Sequence, residues 1–162
     1  MDKNITVGQK APDFLLKDQT GKDISLKDFL GQWLIIYFYP KDNTPGCTTE
    51  ALDFSQYRQK FAESGAAILG VSPDSQKSHC KFIEKHDLSI QLLSDPEHIM
   101  AESYGIWGLK KFMGKEYMGI IRSTFLLNPR GIIAYIWQNV KVKGHGENVW
   151  KTFIDSKDQA SS

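Results

Sequence analysis

An unbroken apolar run, Trp33-Leu34-Ile35-Ile36-Tyr37-Phe38-Tyr39, constrains this chain more than any other segment. A strand with one wetted face alternates apolar and polar residues. A run without alternation belongs to a central strand buried on both sides. Its branched and aromatic residues favour strand over helix, and it is far too short to span a bilayer. The run ends in the polar stretch Pro40-Lys41-Asp42-Asn43, after which Thr44-Pro45 opens a helix. Thr suits the capping position and Pro the first helical one. Cys47 therefore falls in the first helical turn, where backbone N–H groups are unpaired and the local field favours an anion. A thiol so placed should ionise more readily than a free one, and the thiolate is the reactive form.

Around this unit, strand-like runs fall at Phe14–Leu16, Ala67–Val71, Gln91–Leu93, Ser123–Leu127 and Ile132–Trp137. Helical stretches cover Pro45–Ser64, Ser75–His86, Pro96–Tyr104 and Gly146–Ile154. The first of these carries apolar residues at 47, 51, 54, 57 and 61 and is closed by Gly65, a helical stripe with a stop signal. Asn128-Pro129-Arg130-Gly131 predicts a tight hairpin turn. Strands alternating with helices, plus one late hairpin, give an α/β class with a mixed central sheet flanked by helices on both faces. A loop at the carboxyl end of the central strand is where such sheets place their sites. The 162 residues fit one domain, drawn as 1–156, with a loose tail over 157–162.

Net charge of +1 and a pI near 7.7 provide no basic field, which argues against a nucleic-acid partner. The N-terminus shows no apolar export segment and no stretch is long enough for a membrane span. A cytoplasmic chain is expected, and the sequon Asn4-Ile5-Thr6 is read as chance. Two cysteines make no disulfide framework and suggest catalysis, redox sensing or packing. A zinc site from His79, Cys80 and His86 is rejected, because adjacent helical residues point apart and no second cluster completes the ligand set. No metal or cofactor is expected. His98 and His145 are read as surface or helix-end residues, and the aromatics around Tyr37 as core.

Pro40-x-x-x-Thr44-x-x-Cys47 resembles the peroxiredoxin active-site pattern. The string Tyr39-Pro40-Lys41-Asp42-Asn43-Thr44-Pro45-Gly46-Cys47-Thr48-Thr49-Glu50 is similar to the bacterioferritin comigratory protein, or PrxQ, branch of that family. Pro12-Asp13-Phe14, Gly70 to Ser75, Leu93-Ser94-Asp95, Arg122-Ser123-Thr124-Phe125 and Lys141 to His145 continue the likeness. The resemblance implies a thioredoxin-like fold and a thiol-dependent peroxidase reducing hydrogen peroxide and organic hydroperoxides. It implies Cys47 as the nucleophile that becomes a sulfenic acid, Thr44 as a hydroxyl near the peroxide, and Pro40 as a shield. It also implies Arg122 as the guanidinium that stabilises charge, and a monomer recycled by thioredoxin or another thiol. Gly46 and Cys47 N–H groups are further donor candidates. Each residue has a plainer reading. Thr44 can be an N-cap alone, Pro40 a strand end, and Arg122 a surface ion-pair residue. Glu50 is either a first-turn helix charge or a partner of Arg122.

The pattern breaks at the resolving cysteine. Many PrxQ-type members carry it five residues after the nucleophile, here Leu52, or on the next helix at a position corresponding to Ile83. Cys80 remains, one turn before Ile83. Either Cys80 resolves the sulfenic acid after local unwinding, or it is incidental and Cys47 works with an external thiol, the reading favoured here. His79 and Lys81 suggest that Cys80 is accessible. A disulfide reductase is disfavoured because Glu50 stands where Cys-x-x-Cys needs its second thiol. A non-enzymatic redox sensor or partner-binding protein that uses Cys47 as a switch is the alternative from another class.

Overall fold

A computed structural model of the chain describes residues 5–160. Its centre is β3 (Trp33–Phe38), every residue of which is buried. β3 lies parallel to β4 (Ala66–Ser72) and antiparallel to β8 (Ser123–Leu127). Beyond β4 come β5 (Gln91–Ser94), β1 (Leu15–Asp18) and β2 (Asp23–Ser25), and beyond β8 lies β9 (Ile133–Trp137), giving the order β2-β1-β5-β4-β3-β8-β9. The unalternating run is explained by two cores. Leu34, Ile36 and Phe38 enter one, while Trp33, Ile35, Tyr37 and Tyr39 enter the other. The second core is roofed by α1 (Pro45–Glu63), α2 (Gln76–His86) and α4 (His145–Ala160), through Phe54, Phe61, Phe82, Val149 and Phe153. The first is covered by α3 (Ile99–Ser103) and a 3-10 turn at Leu26–Phe29. Helices thus lie on both faces, as expected.

The hairpin turn forms as predicted: Gly131 N–H donates to the Asn128 carbonyl at 2.9 Å, and Asn128 Oδ1 accepts from Arg130 and Ile132 N–H groups. Several boundaries differ from the sequence reading. α3 starts at Ile99 rather than Pro96, because Asp95 reaches over the intervening turn and accepts from the Met100 and Ala101 N–H groups. α4 runs on to Ala160, so residues 157–160 of the expected loose tail are helical, and 161–162 lie outside the described residues. Asn4 of the sequon and the rest of the N-terminal stretch before Ile5 lie outside them too.

Three elements went unforeseen: β2, the 3-10 turn, and a separate two-stranded hairpin of β6 (Trp107–Phe112) and β7 (Lys115–Ile120). The hairpin closes through Met113 and Gly114, both at positive φ, where Asn-Gly is the usual signal. Among the described residues no helix is long and apolar enough to cross a membrane.

Candidate active site

The ladder between β3 and β4 extends one residue beyond the strand, with Tyr39 N–H donating to the Val71 carbonyl at 3.0 Å. Pro40 has no N–H to continue it, and the chain leaves the sheet there. Asn43 takes a left-handed conformation (φ 62°) that turns the loop into α1. Thr44 is the capping residue by backbone, its carbonyl accepting from Thr48 N–H at 2.8 Å. Its hydroxyl turns back instead and donates to the Lys41 carbonyl at 3.0 Å. The N–H groups of Gly46 and Cys47 are those a helix leaves over at its start.

Cys47 is 1% exposed. Its sulfur is not sealed in purely apolar packing, since Arg122 Nη2 donates to Sγ at 3.1 Å. Arg122 immediately precedes β8, whose Ser123 pairs with Phe38 at the end of β3. The sheet register therefore brings the guanidinium beside the helix entrance. Glu50, one helical turn after Cys47, holds the other arm: Arg122 Nη1 donates to Glu50 Oε1 at 2.6 Å. Glu50 thus contacts Arg122 across the site. Burial pushes the Glu50 carboxyl up to about 7, although Arg122 beside it works in the opposite direction. Burial disfavours charge on Arg122 as well, but Glu50 and Cys47 outweigh it and raise the guanidinium further.

Two polar atoms here are buried without a partner among the described residues, Glu50 Oε2 and the Tyr37 hydroxyl. Burial first, then the neighbouring Glu50 and Cys47, raise the phenol of Tyr37 well above its ordinary value. His145, the first residue of α4, is a helix-end residue as expected but buried rather than on the surface. It shares a 2.8 Å hydrogen bond with the Thr124 hydroxyl and packs edge-on to Phe54 and Trp137. Burial, followed by the charge of Arg122, lowers it to about 4.

Lys110 on β6 is a second cation at the site that sequence reasoning missed. Its ammonium donates to the Ile120 carbonyl at 2.9 Å. Burial and Arg122 lower it while Cys47 opposes them. Leu109, Lys110, Ile121, Arg122 and Val140 are among the residues that line an open cavity of about 410 Å³.

Cys80 stands apart. It is exposed, and its thiol donates to the Gln19 carbonyl at 2.9 Å. Cys80 is thus accessible as expected from sequence, although its neighbour His79 is fully buried. His79, Cys80 and His86 engage Asp42, Gln19 and Asn43 respectively, and among the described residues no group of three metal-ligating side chains forms.

The chain matches the AhpC/TSA family over residues 7–136. It belongs to that family. Peroxiredoxin Bcp of Bacillus subtilis is 52% identical over 155 residues, 96% of this chain and 99% of the relative. Peroxiredoxin Bcp of Escherichia coli is 40% identical over 145 residues, 90% and 93% of the two chains. The structure of the Xanthomonas campestris bacterioferritin comigratory protein, from a study of alkyl peroxide reduction activity, superposes with a TM-score of 0.86 at 40% identity. That likeness covers 93% of this chain and 99% of the other. A Xylella fastidiosa PrxQ mutant gives a TM-score of 0.89 at 36% identity, covering 94% and 98%. Within the AhpC/TSA family the chain is thus a peroxiredoxin of the Bcp, or PrxQ, type, with the thioredoxin-like fold that its sequence motifs imply.

Proposed function

We propose that the chain is a thiol-dependent peroxidase in which Cys47 attacks hydrogen peroxide or an alkyl hydroperoxide. The observation that carries this reading is the placement of Arg122 Nη2 3.1 Å from Cys47 Sγ with its other arm held by Glu50. A cation fixed before the reaction starts can stabilise negative charge without reorganising. The Cys47 thiolate forms a bond to one peroxide oxygen and the O–O bond breaks. The sulfur becomes a sulfenic acid, the reversible first step of thiol oxidation. The second oxygen leaves with the electron pair and takes a proton, giving water or an alcohol. Arg122 and the helix-start N–H groups of Gly46 and Cys47 face that developing charge. The Thr44 hydroxyl, on rotating away from Lys41, is the fourth donor, and Pro40 walls the loop.

Regeneration uses an external thiol, thioredoxin among the candidates. Leu52 and Ile83 occupy the positions where relatives of this type resolve the sulfenic acid, and the two sulfurs of this chain face different partners. We place this work in the cytoplasm, where both free thiols stay reduced, and in a single domain acting as a monomer. A redox sensor built on Cys47 needs no guanidinium poised over the sulfur, so turnover is favoured over switching. Loss of peroxide consumption in Cys47→Ser is expected; normal consumption by that variant defeats the proposal.

A further inference from the structure

A buried polar network on the far side of the Cys47 loop has no part in the peroxide step. Asp42 is 7% exposed and His79 not at all. Asp42 Oδ1 accepts from the Tyr39 hydroxyl at 2.5 Å, and Oδ2 accepts from the Ser78 hydroxyl at 2.8 Å. His79 Nδ1 lies 2.8 Å from Oδ2, and its Nε2 lies 2.9 Å from the Leu93 carbonyl. A carbonyl can only accept, so Nε2 carries a proton, and a further proton lies between Nδ1 and the carboxylate. The pair is therefore a hydrogen-bonded contact between two buried polar groups, joining the loop to α2 and β5. Asp42 N–H also donates to Asp74 at 2.6 Å, and Asn43 Oδ1 meets His86 Nε2 at 2.8 Å. The loop that leads to Cys47 is thus strapped to α2 at consecutive residues.

This strap bears on the second half of the cycle. Arg122, whose Nη2 touches the sulfur, also lines an open cavity large enough for a small peroxide. A protein thiol attacking the sulfenic acid must bring its own sulfur in line with the S–O bond, which a residue 1% exposed does not permit. The loop has to open first. We propose that His79 is a positioning residue that, through Asp42, holds the Cys47 loop shut and sets how often the oxidised sulfur becomes reachable to a reducing thiol. The inference rests on the peroxidase reading. In the step concerned, the reductant thiolate forms an S–S bond to Cys47 and the S–O bond breaks. The oxygen leaves as water, and a second thiol of the reductant then releases Cys47.

The test separates the two half-reactions in His79→Gln and in Ser78→Ala, the latter removing one bond to the same carboxylate from the helix surface. Cys47 is oxidised with one equivalent of hydrogen peroxide, and the sulfenic acid is then reduced with thioredoxin. Amide hydrogen exchange is followed over Asp42 to Cys47. The expected result for His79→Gln is reduction faster by about tenfold, the scale of one buried hydrogen bond, with a smaller gain in Ser78→Ala. Peroxide oxidation should stay within about threefold of wild type, because no reacting atom has moved, and loop amides should exchange faster. Reduction at the wild-type rate in whichever of the two variants folds overturns the proposal, as does equal slowing of both half-reactions. Should wild-type Cys47 resist oxidation altogether, the peroxidase reading fails instead, and that is read before any variant is compared.

Discussion

Arg122 and Glu50 meet at 2.6 Å across 72 residues of sequence, the Glu50 side chain 1% exposed and the Arg122 side chain 18%. The pair fixes the direction in which Nη2 points, and that direction is the sulfur of Cys47. A buried ion pair of this kind is weak evidence for stability. Its geometry is better explained by what it aims at.

Replacing Arg122 by Met should therefore slow oxidation of Cys47 by peroxide about 10²- to 10³-fold, the usual loss when a preorganised donor is removed. Stopped-flow measurement with limiting peroxide checks this. A fall of less than about threefold would make Arg122 a structural residue only.

The pH dependence of stability carries two opposed contributions. His145 is lowered from 6.5 to about 4 by burial, so the unfolded chain binds a proton there that the native state refuses. Its contribution is complete above pH 6.5 and is lost as pH falls through 4. In His145→Gln, which keeps a partner for Thr124, the decline in unfolding free energy between pH 7 and 4 should be shallower by up to about 3 kcal/mol. Glu50 is raised from 4.5 to about 7, so the native state holds a proton longer than the unfolded chain. Stability from this group is lost as pH rises from 4.5 to 7, and Glu50→Gln should remove that slope. Urea titrations at half-unit pH intervals read both.

Gly70 on β4 sits under the end of Tyr37. A Cβ there would lie 2.7 Å from Leu92 Cδ2 and 2.8 Å from the Tyr37 hydroxyl. Both neighbours are fully buried. Gly70→Ala should cost about 1–3 kcal/mol of stability, as overpacked cores do, seen as a shift in the denaturation midpoint. An unchanged midpoint would mean that Tyr37 has room to move.

Much of the sheet was legible because its strands are buried and rich in branched residues. Trp33–Tyr39 stands out as an unbroken apolar run, and Ser123–Leu127 ends in the apolar Phe-Leu-Leu. The β6–β7 hairpin was illegible for the opposite reason: Leu109, Phe112, Tyr117 and Met118 are exposed, so no alternation marks the strands, and its turn is Met-Gly. At the site, Cys47 was readable from its place in a strand-loop-helix unit, whereas the contact to Arg122 depends on β8 lying beside β3, which local pattern does not encode. Thr44 shows the limit of residue-type reasoning, since its hydroxyl satisfies a loop carbonyl instead of a helix N–H. His79, adjacent to an exposed cysteine, gave no sign that it faces inward onto Asp42.

In the proposed cycle peroxide oxidises the Cys47 sulfur and Cys80 is not needed. Intact-mass analysis after one equivalent of hydrogen peroxide, with dimedone present, tests both parts on wild type, Cys80→Ser and Cys47→Ser. A dimedone adduct on Cys47 is expected in the first two proteins alike and none in the third. An intramolecular disulfide in wild type that vanishes in Cys80→Ser, or an adduct that persists in Cys47→Ser, would contradict that cycle.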